Sequence, residues 1–146
     1  MIAKLLLEAT LDTLYMTFVS TFLAFVIGLG LAIILVITNK NGLKPNKAIY
    51  NVLDIIVNTL RSFPFIILII VLFPFTKFIV GTSIGTTAAI VPLTIGSAPF
   101  IARLIENAMN EVDHGIIEAA LSYGATKTQI IFKVIFIEAL PSIINA

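Results

Sequence analysis

Between Thr13 and Asn39 the chain carries 27 residues without a single charge, and Leu14 to Ile37 is almost wholly apolar. A helix rising about 1.5 Å per residue crosses a bilayer core with about 20 such residues. The run therefore predicts an uncleaved transmembrane helix. A signal peptide fits poorly, because Glu8 and Asp12 precede the run and its apolar stretch exceeds the usual core of about 7–15 residues. The rest of the composition agrees. Of the 146 residues, 59% are hydrophobic and 12% charged, with a mean hydropathy of +1.10. A soluble domain of this size leaves roughly 30% of its surface exposed and has no room to hide so much apolar area. Lipid is the remaining solvent. Disorder is excluded by the same figures, and a net charge of +1 without a basic patch argues against nucleic acid. With no cysteine and one histidine, His114, neither a disulfide framework nor a multi-histidine metal site is available.

Two further spans are expected, about 54–76 and 80–102, after the first at about 14–37. The segment Asn39 to Asn51, NKNGLKPNKAIYN, is a loop by its Asn-Gly and proline. Its Lys40, Lys44 and Lys47 place it on the cytoplasmic side by the positive-inside rule. The second span is interrupted by Asp54, Arg61, Pro64 and Pro74, and its uncharged core, Ser62 to Thr76, is only 15 residues. Arg61 then either lies within the hydrocarbon facing protein or water, or snorkels to an interface. The third span lies in Phe78 to Ala102, 25 uncharged residues rich in Gly, Ser and Thr, with Pro92 and Pro99 implying bends. Gly81 and Gly85 form a GxxxG pair suited to close helix approach or to a loop. This order puts the N-terminus outside. Lys40, Lys44, Lys47, Arg103, Lys127 and Lys133 are then inside, against Lys4 and Lys77 outside.

After Arg103 the chain turns polar, with Glu106, Glu111, Asp113 and Glu118 within 13 residues. Gly115 and Gly124 bracket IIEAALSY, a stretch too short to span and suited to a surface helix that Gly124 ends in a left-handed conformation. Thr126-Lys127-Thr128-Gln129 predicts a capping box opening a second helix, which Pro141 stops or kinks. The run EAALSYGATKTQIIFKV resembles the EAA loop of bacterial ABC importer permeases, the binding-protein-dependent transport inner-membrane component family. Glu118, Ala119, Ala120 and Gly124 match its pattern, and Val134 takes the place of its isoleucine. Phe136-Ile137 stand where the family has Leu-Pro, and Leu140-Pro141 come four residues later. RSFPF at Arg61 to Phe65 and PLTIGSAPFIARLIENA from Pro92 are similar to the methionine-uptake (MetI-like) branch, a likeness running from Thr13 onward.

The resemblance implies an all-α membrane protein with a partial type I importer permease fold: three transmembrane helices and a cytoplasmic coupling helix, within an EAA loop of about 103–137. It implies a permease subunit for methionine in the bacterial inner membrane. Its partners would be ATP-binding cassette ATPases, a substrate-binding lipoprotein, a second permease copy and membrane lipid. ATP would be bound by the ATPase, with no cofactor on this chain. Glu118, Ala119, Ala120, Gly124 and Ala125 carry over as the ATPase contact. Small residues let a helix enter a groove closely, and Glu118 near a helix N-terminus is favoured by the dipole. Relatives of this branch have five spans, so roughly a third of a typical relative is expected beyond Ala146, and the fragment is not expected to transport alone.

Other readings weigh less. A permease for another amino acid or small polar solute shares every feature except the overall likeness. A membrane scaffold leaves the EAA spacing unexplained. An enzyme lacks paired catalytic groups, a G-x-S-x-G, an H-E-x-x-H or a P-loop. Arg61, Ser62, Phe63 and Pro64 are candidates for a pathway or gate. Asp54 and Arg61, seven apart on one helix face, could bracket a polar route or sit at an interface. His114 reads as a solvated loop residue, and Tyr15, Tyr50 and Tyr123 as interfacial anchors.

Overall fold

Helix α1 (Ile2–Thr38) starts well before the first uncharged run and ends just before the lysine loop. The computed structural model describes residues 2–145, and α1 is the longest element in it. Four of its residues, Ser20, Ala24, Gly28 and Ala32, recur every fourth position and are buried in one stripe. That stripe packs against α4 (Thr86–Asn110), the most extensive helix contact in the fold. A Cβ on Gly28 would stand 2.9 Å from the Ala98 carbonyl oxygen and 2.9 Å from Cγ2 of Ile101. Such close approach supplies dispersion contact where no hydrophobic effect separates helix from lipid. Gly81 and Gly85, the GxxxG pair of the sequence, take no part in this seam.

Gly28 faces Ala98 and Ile101, while Ala32 and Val36 share a cluster with Ile105 and Met109. Residue numbers rise together along both helices, so α1 and α4 run parallel. The chain between two parallel crossings must return across the membrane. Helix α3 (Phe65–Val80) makes that return: its Phe65 and Leu68 lie against Gly96, and the Phe73 carbonyl accepts a hydrogen bond from Ser83 just before α4. It is thus antiparallel to α4. Gly81 closes α3 with a φ of 86° and an N–H bonded to the Lys77 carbonyl, and Gly85 precedes α4 at a φ of 120°. Both glycines belong to a turn that needs left-handed backbone.

The second expected span, 54–76, is not one helix. Helix α2 (Lys47–Ser62) stops at Phe63-Pro64, and α3 leaves at 113° to it. Proline has no N–H to donate and drives the preceding residue out of the helical region. Phe63 accordingly sits at φ −74°, ψ 132°. The Pro64 carbonyl then accepts the N–H groups of Ile67 and Leu68 to start α3. At the other end of α2 the Asn46 side chain caps the N–H groups of Ala48 and Ile49.

Helix α4 begins at Thr86, later than the expected 80, and continues past Arg103 to Asn110 with Pro92 and Pro99 inside it. A short α5 (His114–Ser122) follows, then α6 (Lys127–Asn145), whose residues Ile130–Ile135 form a π-helical stretch. Among the described residues, α1, α4 and α6 are each long and apolar enough to cross a membrane, and α2 with α3 make a bent fourth candidate. Pro141 lies inside α6 and does not stop it. The main core gathers at one end of the fold: Ala32 and Val36 of α1, Ile105 and Met109 of α4, Ile130 and Ile135 of α6.

Candidate coupling surface and its supports

The segment after α4 is built from local rules. The Asp113 carboxylate accepts the Gly115 N–H at 2.7 Å and caps α5. His114 is therefore the first helical residue, although exposed, and not part of a loop. The helix ends in a Schellman motif. The Ala125 N–H bonds to the Ala120 carbonyl at 3.0 Å, the Gly124 N–H bonds to the Leu121 carbonyl at 2.9 Å, and Gly124 adopts a φ of 83°. The Glu-Ala-Ala, three residues, Gly spacing thus has a physical content. It sets Ala120 and Gly124 at the two positions that this end motif requires, with Ala125 as the residue that closes it.

The two alanines of the motif lie on different sides of α5, one exposed and one half-buried. Ala120, with Ile117 and Ala125, packs against the core under α5. Glu118, Ala119, Leu121 and Gly124 are exposed, and Tyr123 is 92% exposed. Of the five residues carried over as an ATPase contact, Glu118, Ala119 and Gly124 lie on the outward surface. Ala120 and Ala125 are half-buried and hold the helix onto its support. Below it, the Thr126 hydroxyl accepts the Gln129 N–H and the Gln129 side chain accepts the Thr126 N–H, so the capping box forms. Ile130, Ile131 and Ile135 of the π stretch are buried beneath. Phe136-Ile137, where the family pattern has Leu-Pro, simply continues the helix. Ser142 donates to Glu111 at 2.9 Å, tying α6 to the α4–α5 connection.

A second polar cluster joins α2 to α4. Arg103 bridges Glu106 at 2.6 Å, pairs with Asp54, and donates to Asn58 at 3.2 Å. Asn58 also donates to Asp54, and the Tyr50 hydroxyl donates to Glu106, which is only 2% exposed. Asp54 and Arg61 do share a side of α2, as their spacing requires, but the partner of Asp54 is Arg103. Arg61, Ser62 and Phe63 instead line an open cleft of about 520 Å³ with Phe65, Gly96 and Phe100. Pro64 makes the bend beside that cleft and does not line it. Among the described residues no cluster of three or more His, Asp or Glu is placed to hold a metal.

Residues 24–146 match the family described as binding-protein-dependent transport system inner membrane component. The chain belongs to that family. As a member of this inner-membrane transport family, it is a multi-pass membrane protein. It is 52% identical over 142 residues to the D-methionine transport system permease protein MetI of Escherichia coli (strain K12), covering 97% of this chain and 65% of that one. It is 54% identical over 135 residues to the corresponding protein of Yersinia pestis, covering 92% and 62%. The chain thus spans less than two thirds of the length of these relatives. Its fold superposes on an inward-facing MetNI methionine ABC transporter with a TM-score of 0.95 at 51% identity, over 99% of this chain and 67% of that one.

For a chain of the binding-protein-dependent family, sequence reasoning overlooked two supports. The Ser20-Ala24-Gly28-Ala32 stripe was legible as small residues every fourth position, a stronger signal than the single Gly81–Gly85 pair. The Arg103–Glu106 pair was legible as opposite charges three apart on a helix. Its third member, Asp54, was not, because it comes from 49 residues away.

Proposed function

We propose that this chain forms the permease subunit of an ATP-driven importer for methionine, and that the outward face of α5 docks on a cytoplasmic ATPase. The observation that carries the reading is the exposed strip Glu118, Ala119, Tyr123 and Gly124, on a helix whose end is fixed by the Schellman motif and whose Ile117, Ala120 and Ala125 pack on the core shared by α1, α4 and α6. A push on α5 is thereby delivered to two helices of the parallel seam. The likeness to MetI proteins and to MetNI supports the same assignment of substrate and partner. The helix-in-groove mode needs small residues at the contact, and Ala119 and Gly124 supply them.

On this reading the N-terminus is outside and the lysine loop and α5 are cytoplasmic. The ATP is bound and hydrolysed by the partner, since the chain has no P-loop of its own. A binding protein delivers methionine from outside, and a second permease copy completes the translocation path. The cleft at Arg61, Ser62 and Phe63, beside the Pro64 bend, is the region of this chain assigned to the pathway.

The test is retention of the ATPase by the full-length protein. Gly124→Asp sets a charge on the docking turn and is expected to reduce retention strongly, whereas Glu138→Gln on exposed α6 leaves it unchanged. Full retention by the Gly124→Asp protein refutes the docking assignment.

A further inference from the structure

Helix α2 has three distinct sides. At 100° per residue, Leu53, Val57 and Leu60 point toward the protein, and Val57 is fully buried. Asn51, Asn58, Arg61 and Lys47 form an exposed polar side. Between these lies a third, apolar side made by Ile49, Val52, Ile55 and Ile56, which are 45–64% exposed. A helix with one apolar side on protein, one apolar side uncovered and one polar side is built for a boundary between hydrocarbon and water.

Its depth follows from what it touches. Helix α4 is uncharged from Thr86 to Ala102, 17 residues or about 26 Å, and its first charges are Arg103 and Glu106. Tyr50, Asp54 and Asn58 of α2 bond to those two residues. Helix α2 therefore lies at the level where α4 leaves the hydrocarbon, at 113° to the α3 crossing. The loop leading into it carries Lys40 and Lys44, and Lys47 is the first residue of the helix; all three are exposed and none is paired with a carboxylate among the described residues. No Asp or Glu occurs anywhere from Thr13 to Leu53.

We propose that α2 is an interfacial helix and that Lys40, Lys44 and Lys47 bind anionic phospholipid headgroups of the same leaflet, with Val52 and Ile55 set among the upper acyl chains. Charge complementarity selects the occupant. Three uncompensated ammonium groups beside an apolar strip match a phosphodiester attached to a hydrocarbon tail, and a protein groove would have to supply both features. The proposal needs only a bilayer-spanning chain and is independent of the transported solute and of the ATPase contact.

The absence of cysteine in this chain makes the test direct. The full-length protein with its ATPase, lacking other cysteines, is given Val52→Cys or Asn51→Cys, labelled with an environment-sensitive fluorophore and placed in bilayers. Quenching is compared between spin-labelled phosphatidylglycerol and spin-labelled phosphatidylcholine. The expected result is acyl-chain quenching at position 52 but not 51, with a severalfold preference for phosphatidylglycerol. Successive Lys→Gln changes should lower that preference stepwise, the triple variant showing none, and high salt should weaken it. Equal quenching by both lipids overturns the proposal, as does a preference that survives in the triple Lys→Gln protein. Loss of the preference on adding inorganic phosphate at constant ionic strength identifies a free-anion site and also overturns it. Protection of position 52 from both lipids means that another subunit covers the strip and likewise overturns the proposal. Single Lys44→Gln and Lys47→Gln proteins serve if the triple variant is poorly assembled.

Discussion

Gly124 offers a prediction in which one physical effect is isolated. Its φ of 83° lies in the left-handed region, yet a Cβ built on it meets nothing within 4 Å. Gly124→Ala therefore costs local backbone strain and no clash with surrounding residues, about 1–2 kcal/mol for a left-handed non-glycine residue. That is a factor of about 5–30 in the opening of the α5 terminus. Asparagine tolerates this conformation better than alanine, and a β-branched valine tolerates it worse. The expected order of stability is Gly, Asn, Ala, Val. Amide hydrogen exchange reads it locally: the Ala125 N–H, bonded to the Ala120 carbonyl at 3.0 Å, should lose protection in that order. ATPase affinity of the full-length protein should fall in parallel if α5 is the docking element. The Asn variant also separates shape from charge in the Gly124→Asp experiment. Equal protection of Ala125 in the glycine and alanine proteins would refute the Schellman argument, whatever the ATPase result.

Three further perturbations address the supports. Gly28→Leu forces a side chain into a seam where even a Cβ lies 2.9 Å from Ala98 and Ile101; overpacking of about 1–3 kcal/mol should lower the Tm in detergent, while Gly30→Leu, with open space around it, should not. Glu106→Ala leaves the largely buried Arg103 with one carboxylate and Tyr50 with no acceptor, so a loss of about 3 kcal/mol is expected. Glu106→Gln should recover part of it; equal melting of both variants and the parent would exclude a structural role for the cluster. Gly42→Ala would drive a Cβ into the carbonyls of Val36 and Ile37, so proteolysis at the α1–α2 loop should accelerate, and an unchanged cleavage rate would refute that close contact.

Much of the candidate coupling surface was legible because its rules act over a few residues. Asp113 two positions before Gly115, Ala120 four before Gly124, and Thr126 three before Gln129 are each satisfied by the backbone between them. The break at Pro64 was half legible. Proline announces a stop, but whether two helices of 16 residues stay in line or turn by 113° depends on what each packs against. The span limits shifted for a similar reason. Arg103 looked like the end of a crossing by its charge, yet α4 runs on to Asn110 because Ile105 and Met109 have a core to enter.

The sequence by itself determined that this chain lives in a bilayer, since 12% charge with long uncharged runs leaves no other solvent for its surface. It also determined the short motifs, whose partners are near neighbours along the chain. Only the tertiary structure decided that α1 and α4 run parallel on a stripe of small residues, that Ala119 faces out while Ala120 faces in, and that Asp54 answers Arg103 rather than Arg61. Those outcomes pair residues tens of positions apart. Local spacing places such residues on a helix face, but the choice of partner belongs to the packing of whole helices.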